Sequence, residues 1–144
     1  METGADKVQL EILLTAPVEE VWRAWTEPDR IAKWFGSDPS GQVLKVMLNV
    51  CPGGFFEITF KDGNQTAHTC YGVYSVVREF HNLEFSWNWK SEPGVESFVI
   101  VVLTSENNFT KMLFRHERLG TGSQHNYEEG WKSTFLKLEQ LLSQ

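Results

Sequence analysis

The chain has 144 residues, with 13 Lys or Arg against 19 Asp or Glu and a formal net charge of −6. The acidic balance argues against nucleic acid as a partner, and no apolar stretch is long enough for insertion into a membrane. Residues 1–7 lack the apolar segment of a signal peptide, so we expect a cytoplasmic protein in which residues 1–144 form one domain and 1–7 are flexible.

The N-terminal part predicts a strand followed by two short helices. Residues 8–15 alternate and are rich in Val, Leu and Ile, as a strand requires. Pro17 suits the first turn of a helix, because its missing N–H has no partner there in any case. Thr26 is a candidate N-cap for the second helix, which Gly36 would terminate. The first helix has one apolar face, formed by Val18, Val21, Trp22 and Trp25.

The middle of the chain predicts a run of strands joined by short turns. Asp62 and Gly63 are a strong hairpin signal, and Asn107 and Asn108 mark a second hairpin. Gly72, inside a long strand, predicts a bulge or bend in the sheet. Consecutive strands with short connections indicate an antiparallel meander. The predicted strands cover residues 42–50, 55–61, 66–77, 82–89, 96–104 and 108–117.

Residues 126–142 predict a long C-terminal helix with one apolar stripe. At 1.5 Å per residue such a helix spans about 25 Å, which is enough to cross a sheet. We therefore predict an α+β fold in which a curved antiparallel sheet of six to seven strands wraps around this helix. A cavity is expected at the end where the helix and the sheet diverge. The stripe consists of Tyr127, Trp131, Phe135, Leu138 and Leu142.

Several segments, in order along nearly the whole chain, carry a family signature. They are Ala16 to Thr26 with Pro28, Trp34 and Phe35; Gly53 and Gly54; Gly72 to Tyr74; Leu83 to Trp87; Arg115 to Glu117; and His125 with Glu129 to Trp131. These segments resemble the activator-of-heat-shock-protein-ATPase-homolog-like family of the START-like (SRPBCC, birch-pollen-allergen-like) superfamily. The resemblance implies the helix-grip fold, two short helices after the first strand, and a hydrophobic ligand cavity between sheet and helix.

Three functions remain open under this resemblance. The first is non-enzymatic binding of a small hydrophobic or aromatic molecule or a lipid, with a link to stress response. The second is a chaperone-linked interaction module; co-chaperones of the family carry an additional N-terminal domain, whereas seven residues precede the first predicted strand here. The third is a cyclase or aromatase-type enzyme with His116 as acid–base group. We expect no cofactor, and pairing of an edge strand would allow a homodimer.

The candidate ligand site is the aromatic wall of the sheet and the facing stripe of the helix. Part of this set is expected to pack only as core, and the rest to line the cavity. Tyr74 and His116 would add polar contacts, and Gly130 serves either close helix–sheet packing or the cavity. The predicted ligand-binding residues are Trp34, Phe56, Ile58, Cys70, Tyr74, Phe85, Trp87, Phe98, Ile100, Met112, Phe114, His116, Tyr127, Trp131 and Phe135.

Other signals for chemistry are weak. The sequence has no HxxxH, CxxC or GxSxG motif, so no metal ligands and no catalytic residues are predicted. His68 is expected near a rim, and His81 and His125 at the surface. The segment 120–122 is a connector or a flexible gate. The remaining reactive side chains, the thiols of Cys51 and Cys70, are expected to be reduced.

Overall fold

The computed structural model describes residues 7–119 and 126–143 and arranges them in a sheet, two short helices and one long helix. His125 and the segment 120–122 lie outside these ranges. The strands are β1 (Lys7–Leu14), β2 (Gln42–Leu48), β3 (Phe55–Lys61), β4 (Ala67–Arg78), β5 (Asn82–Trp89), β6 (Glu96–Glu106) and β7 (Phe109–Glu117). The helices are α1 (Val18–Thr26), α2 (Pro28–Ile31) and α3 (Tyr127–Leu142).

The strands form one antiparallel sheet in the order β1-β7-β6-β5-β4-β3-β2. The run from β2 to β7 is the predicted meander, and β1 adds to its far edge by pairing Val8 with His116. The predicted α+β architecture, with a seven-stranded curved sheet around a C-terminal helix, is confirmed. The alternating burial of β3, β5 and β7 shows that one face of the sheet is buried, and the contact between the rings of Phe114 and Trp131 shows that α3 packs on this face.

The irregularity expected at Gly72 lies two residues further along β4. The β4–β5 register shifts between Tyr74 and Val76, so the bulge is there. Gly72 instead allows the backbone of β5 to lie close to β4. A Cβ at this position would collide with the carbonyl oxygen of Ser86 and crowd the ring of Phe56.

The two short helices are fixed to each other by charge and by one buried indole. Glu20 accepts hydrogen bonds of 2.8 Å from both Arg23 and Arg30, which joins α1 to α2. The Trp34 indole N–H donates to the Ala24 carbonyl over 2.9 Å. The N-cap of α2 is Glu27 rather than the predicted Thr26. Thr26 is the last residue of α1, and its hydroxyl donates to the carbonyl of Trp22 within that helix.

Helix α3 begins at an Asn126 cap, whose side chain accepts from the Glu129 N–H. Its buried face contacts the sheet at β7, where the rings of Phe114 and Trp131 lie 4.5 Å apart. Phe135 packs against the same Phe114 ring at 4.9 Å. Because both contacts are with Phe114, helix α3 is held along β7. Its first turns face the ends of β3, β4 and β5.

None of the helices in the described ranges is both long and apolar enough to cross a membrane.

Candidate functional site

A cavity of about 540 Å³ lies between the first turns of α3 and the ends of β3, β4 and β5. The segment that follows α2 closes one side through Gly36 and Ser37. Six aromatic side chains form most of the wall: Phe35, Phe60, Trp87, Trp89, Tyr127 and Trp131. The polar lining residues are Ser37, Asp62, His68, Asn126, Glu129, Ser133 and Thr134.

The aromatic wall follows from strand periodicity and from one helix face. Trp87 and Trp89 are two residues apart on β5, so both point to the inner face, with ring centroids 5.2 Å apart. Trp131 meets Trp87 from the helix at 5.3 Å. The Trp89 N–H donates to the Tyr127 hydroxyl over 2.9 Å, which ties the end of β5 to the start of α3. The wall is therefore built from tethered rings.

A carboxylate–imidazole pair lies at the hairpin end of the cavity. Nε2 of His68 donates to Oδ2 of Asp62 over 2.9 Å, and each side chain is about one quarter exposed, 23% and 25%. The pair is positioned by the β3–β4 turn, which closes with a bond from Asp62 N–H to the Thr66 carbonyl. His68 stands directly opposite Phe60 in the register, and its ring also faces Trp89. The cavity thus has a polar end.

His116 is a neutral, fully bonded core residue. The Trp131 N–H donates to Nδ1 over 2.9 Å, so Nδ1 is unprotonated, and Nε2 donates to the Ser97 hydroxyl over 2.7 Å. Ser97 in turn donates to the Trp87 carbonyl. Burial lowers the pKa of His116 to about 3. Since both ring nitrogens are engaged and the side chain does not line the cavity, the geometry does not support His116 as an acid–base group.

The segment after α2 is held over the cavity from two sides. Ser133 of α3 donates to the Ser37 carbonyl over 2.5 Å, and the Lys137 ammonium lies 3.2 Å from the Asp38 carbonyl oxygen. On the other side, the Asp38 carboxylate accepts from the Gly63 N–H over 2.9 Å. This hydrogen bond, with those from Ser40, lowers the pKa of Asp38. The segment is therefore a fixed wall that spans α3 and the β3–β4 turn.

The sequence also matches a known family over most of its length. Residues 15–143 match the family model described as activator of Hsp90 ATPase homolog 1-like protein. The chain belongs to this family. The family's START-like fold supports a ligand-binding domain in general terms. No curated protein matches the chain significantly.

Several bacterial proteins of solved structure share the fold of this family member. A protein from Chromobacterium violaceum is 19% identical with a TM-score of 0.86, covering 97% of this chain and 99% of its own. One from Nitrosomonas europaea is 22% identical with a TM-score of 0.82, covering 99% and 97%. An AHSA1-like protein from Aeromonas hydrophila is 19% identical with a TM-score of 0.82, covering 95% and 92%. At these sequence identities the similarity establishes a shared fold and nothing further.

Within this family member, the inward-facing residues among those predicted to bind a ligand lie in three places. Trp87, Tyr127 and Trp131 line the 540 Å³ cavity. A second void of about 10 Å³, too small for more than one water, is bordered by Phe56, Ile58, Tyr74, Phe85 and again Trp87. The others on the inner side are buried core: Trp34, Cys70, Met112, Phe114, His116 and Phe135.

Phe98 and Ile100 were predicted to face the ligand, but they lie on the opposite face of the sheet. The register pairs Val99 with His116, so Val99 points inward and its two neighbours point outward. The Arg118 guanidinium lies over the Phe98 ring at 5.2 Å from its centroid. Residues 98–102 are all apolar, and such a run does not reveal by alternation which residues face inward.

The inner face also carries buried polar groups on Cys70, Tyr74 and Trp87. Burial raises the pKa of Tyr74 and of the Cys70 thiol, so both stay protonated at neutral pH. Cys51 is exposed, and neither cysteine is in a disulfide. The indole N–H of Trp87, a cavity residue, is buried without a hydrogen-bond partner. No group of three or more metal-ligating side chains occurs in the part of the chain that the structure describes.

Sequence reasoning missed the aromatic lining residues Phe35, Phe60 and Trp89, and also the polar lining residues His68, Ser37, Asp62, Asn126, Glu129, Ser133 and Thr134. Trp89 continues the period of Trp87, and Phe60 continues the inner face of β3, so both were recognisable as inward-facing. The position of His68 follows from the hairpin register, which places it opposite Phe60. Phe35 had no such signal, because it lies outside regular structure after α2.

Proposed function

We propose that this protein binds a small hydrophobic or aromatic molecule in the cavity between the sheet and α3, without chemical turnover. The observation that carries the proposal is an aromatic-walled cavity of about 540 Å³. Small-molecule sites are typically concave spaces of about 300–1,000 Å³, mostly apolar, with a few polar groups that fix orientation. Membership of a family with a ligand-binding fold supports the same reading.

The wall supplies the driving force for binding. A ligand that buries about 200 Å² of apolar surface gains roughly 5 kcal/mol at about 25 cal/mol per Å². Association and ordering costs reduce this gain. The wall is tethered by the bond from Trp89 to Tyr127, so little of the cost falls on the protein. We therefore expect weak binding, with Kd values of about 0.1–1 mM, since a Kd of about 1 mM corresponds to roughly −4 kcal/mol.

The polar groups of the cavity fit binding better than catalysis. The hydroxyl of Ser133 donates to the Ser37 carbonyl, and that of Thr134 donates to the Gly130 carbonyl. Hydroxyls committed in this way are held away from a general base. His116, the acid–base candidate from the sequence, is locked in the core. These contacts favour a binding protein over a cyclase or aromatase-type enzyme.

A neutral hydrophobic dye tests the proposal. We expect N-phenylnaphthylamine to bind with a saturable rise in fluorescence and to quench tryptophan emission. Gly130→Leu places a bulky side chain at the cavity lining and should weaken binding at least about tenfold, the equivalent of 1.4 kcal/mol. Gln140→Leu adds the same side chain at an exposed position of α3 and is the matched control.

The two variants separate cavity binding from adsorption to the surface. If dye binds the wild type and Gln140→Leu alike but not Gly130→Leu, the cavity is the site. Equal binding to all three proteins, or none to the wild type, would count against the proposal. Native mass spectrometry of the purified protein then identifies any molecule carried from the host.

A second candidate function is a chaperone-linked interaction module. The family description favours it, and so does an exposed apolar group on the outer face of β2 to β4, formed by Met47, Phe55 and Val73. This candidate requires that the protein stimulate the ATPase of an Hsp90-type chaperone. Phe55→Ser should abolish that stimulation while leaving dye binding intact. A complete lack of stimulation by the wild type at micromolar concentration would eliminate the candidate.

A further inference from the structure

The charged groups that line the cavity are acidic. Asp62 and Glu129 are the carboxylates, and His68 and Tyr127 are the other titratable side chains among the described lining residues. Neither Lys nor Arg is among the lining residues in the described part of the chain. Lys137, on the same helix as Glu129, directs its ammonium to the Asp38 carbonyl and does not line the cavity. A ligand in this space therefore meets a negative field.

The two carboxylates approach the cavity from opposite walls. Asp62 belongs to the β3–β4 turn and accepts a hydrogen bond from Nε2 of His68. Glu129 belongs to the first turn of α3, on the other side of the cavity. A group bound between the hairpin and the helix would face both.

The N-terminus of α3 favours an anion. A helix N-terminus carries about half a unit of positive charge. Asn126 already accepts the Glu129 N–H at this end, and Glu129 adds a negative charge that lines the cavity, whereas the charge of Glu128 is paired with Lys132. With Asp62 across the cavity, the carboxylates outweigh the dipole several-fold, so a carboxylate ligand would be repelled.

The aromatic wall reinforces the preference for a cation. An ammonium within about 6 Å of a ring face is attracted by the negative face of the π system, most strongly by tryptophan. The cavity wall contains three tryptophans, Trp87, Trp89 and Trp131, beside the carboxylates. Aromatic surfaces combined with anionic groups suit a molecule with an apolar body and a positively charged end.

We propose that the ligand class of the cavity is a hydrophobic or aromatic amine, held by its apolar body against the tryptophan wall and by its ammonium between Asp62 and Glu129. This inference rests on the proposed binding function and names the chemistry of the ligand. The acidic groups act as specificity determinants, and the rings supply the affinity.

Three probes with one ring system and different end groups test this inference by isothermal titration calorimetry at neutral pH. They are naphthylethylamine, naphthylethanol and naphthylacetate. We expect the amine to bind at least about tenfold more tightly than the alcohol, because a hydrogen bond to a charged group contributes more than a neutral one. Naphthylacetate should bind most weakly.

Variants that remove the charge of one carboxylate test which residues produce the preference for the amine. Asp62→Asn and Glu129→Gln should each reduce the ratio of amine to alcohol affinity, and together they should remove it. Glu128→Gln is the matched control, because Glu128 is in the same helical turn, pairs with Lys132 and does not line the cavity. This variant should retain the ratio of the wild type.

The outcomes separate this inference from the proposed function. If the alcohol or the carboxylate binds as tightly as the amine, or if only the dye binds, the amine class is wrong and the cavity remains a binding site. If the neutral dye and all three naphthyl compounds fail to bind, the proposed function fails and the inference with it. If Glu128→Gln lowers the ratio of amine to alcohol affinity as much as Asp62→Asn or Glu129→Gln does, the assignment of the preference to the cavity carboxylates is also wrong.

Discussion

The indole N–H of Trp131 donates a 2.9 Å hydrogen bond to Nδ1 of His116, and this bond fixes the imidazole in one neutral tautomer. It joins α3 to β7 at a point where both side chains are buried. The other imidazole nitrogen donates to Ser97 of β6, so three elements meet in one hydrogen-bonded chain. The helix is thereby held to the sheet beside the cavity.

Breaking this bond from either side should destabilise the fold. We expect Trp131→Phe and His116→Leu each to lower the free energy of unfolding by about 1–3 kcal/mol, because each leaves a buried polar partner unsatisfied. In the double variant the loss should be smaller than the sum, with a coupling free energy of about 1 kcal/mol. Urea unfolding of the four proteins measures this cycle, and strictly additive losses would show that the bond contributes nothing.

The stability of the protein should fall when the pH drops below the ordinary pKa of histidine, near 6.5, because His116 resists protonation in the folded state. Above that pH the imidazole is neutral in both states, and its contribution is complete. Between that value and the folded pKa of about 3, the unfolded chain binds a proton that the folded chain does not. The loss is about 1.4 kcal/mol per pH unit.

Urea unfolding at about pH 7 and pH 5 measures this slope. His116→Gln removes the titrating group, so its free energy of unfolding should depend less steeply on pH than that of the wild type. The other histidines remain in both proteins and cancel in the comparison. Parallel pH profiles of the two proteins would contradict a neutral, buried His116.

Much of the fold was predictable from the sequence, because it depends on local periodicity. The alternation in β3, β5 and β7 correctly identified the inner face, and the turn at Asp62 and Gly63 fixed the hairpin between β3 and β4. Helix α3 spans Tyr127–Leu142 behind its Asn126 cap, which agrees with the helix over residues 126–142 that the apolar stripe predicted.

The candidate site was less predictable, because it depends on where α3 leaves the sheet. Strand period shows that both Tyr74 and Trp87 face inward, but it does not show that Tyr74 packs against Phe56 and Phe85 while Trp87 lines the larger cavity. Sequence reasoning therefore assigned Tyr74 and Trp87 to one ligand site. Only the pairing of distant strands and the path of the helix decide between these positions.

Gly130 and Gly72 should respond oppositely to substitution by alanine. A Cβ at Gly130 would lie 3.6 Å from the Cβ of Ser37, an ordinary contact, so Gly130→Ala should stabilise the protein by about 0.5–1 kcal/mol through helix propensity. At Gly72 a Cβ would collide with the Ser86 carbonyl, and Gly72→Ala should destabilise by more than about 1 kcal/mol. Thermal unfolding of both variants measures the two changes in stability. If Gly130→Ala is less stable than the wild type, the glycine is needed for close packing of α3 against its neighbours.

The tether between Asp38 and the β3–β4 turn should be visible in hydrogen exchange. Asp38→Ala removes the acceptor of the Gly63 N–H and of the Ser40 N–H. Both amides should exchange faster, while the amides of α3 keep the rates of the wild type. Asp29→Ala, an exposed acidic position in α2, is the control for the loss of one charge. Unchanged exchange at Gly63 would show that the segment after α2 is held by other contacts.

The indole N–H resonances of the six tryptophans test the central claim most directly, because they divide by position. Trp87, Trp89 and Trp131 line the cavity, whereas Trp22, Trp25 and Trp34 do not. Heteronuclear NMR during titration with naphthylethylamine should shift the first three resonances in a saturable way and leave the other three in place. Shifts confined to Trp22, Trp25 and Trp34, or no shift at a concentration that saturates binding, would contradict a ligand site in this cavity.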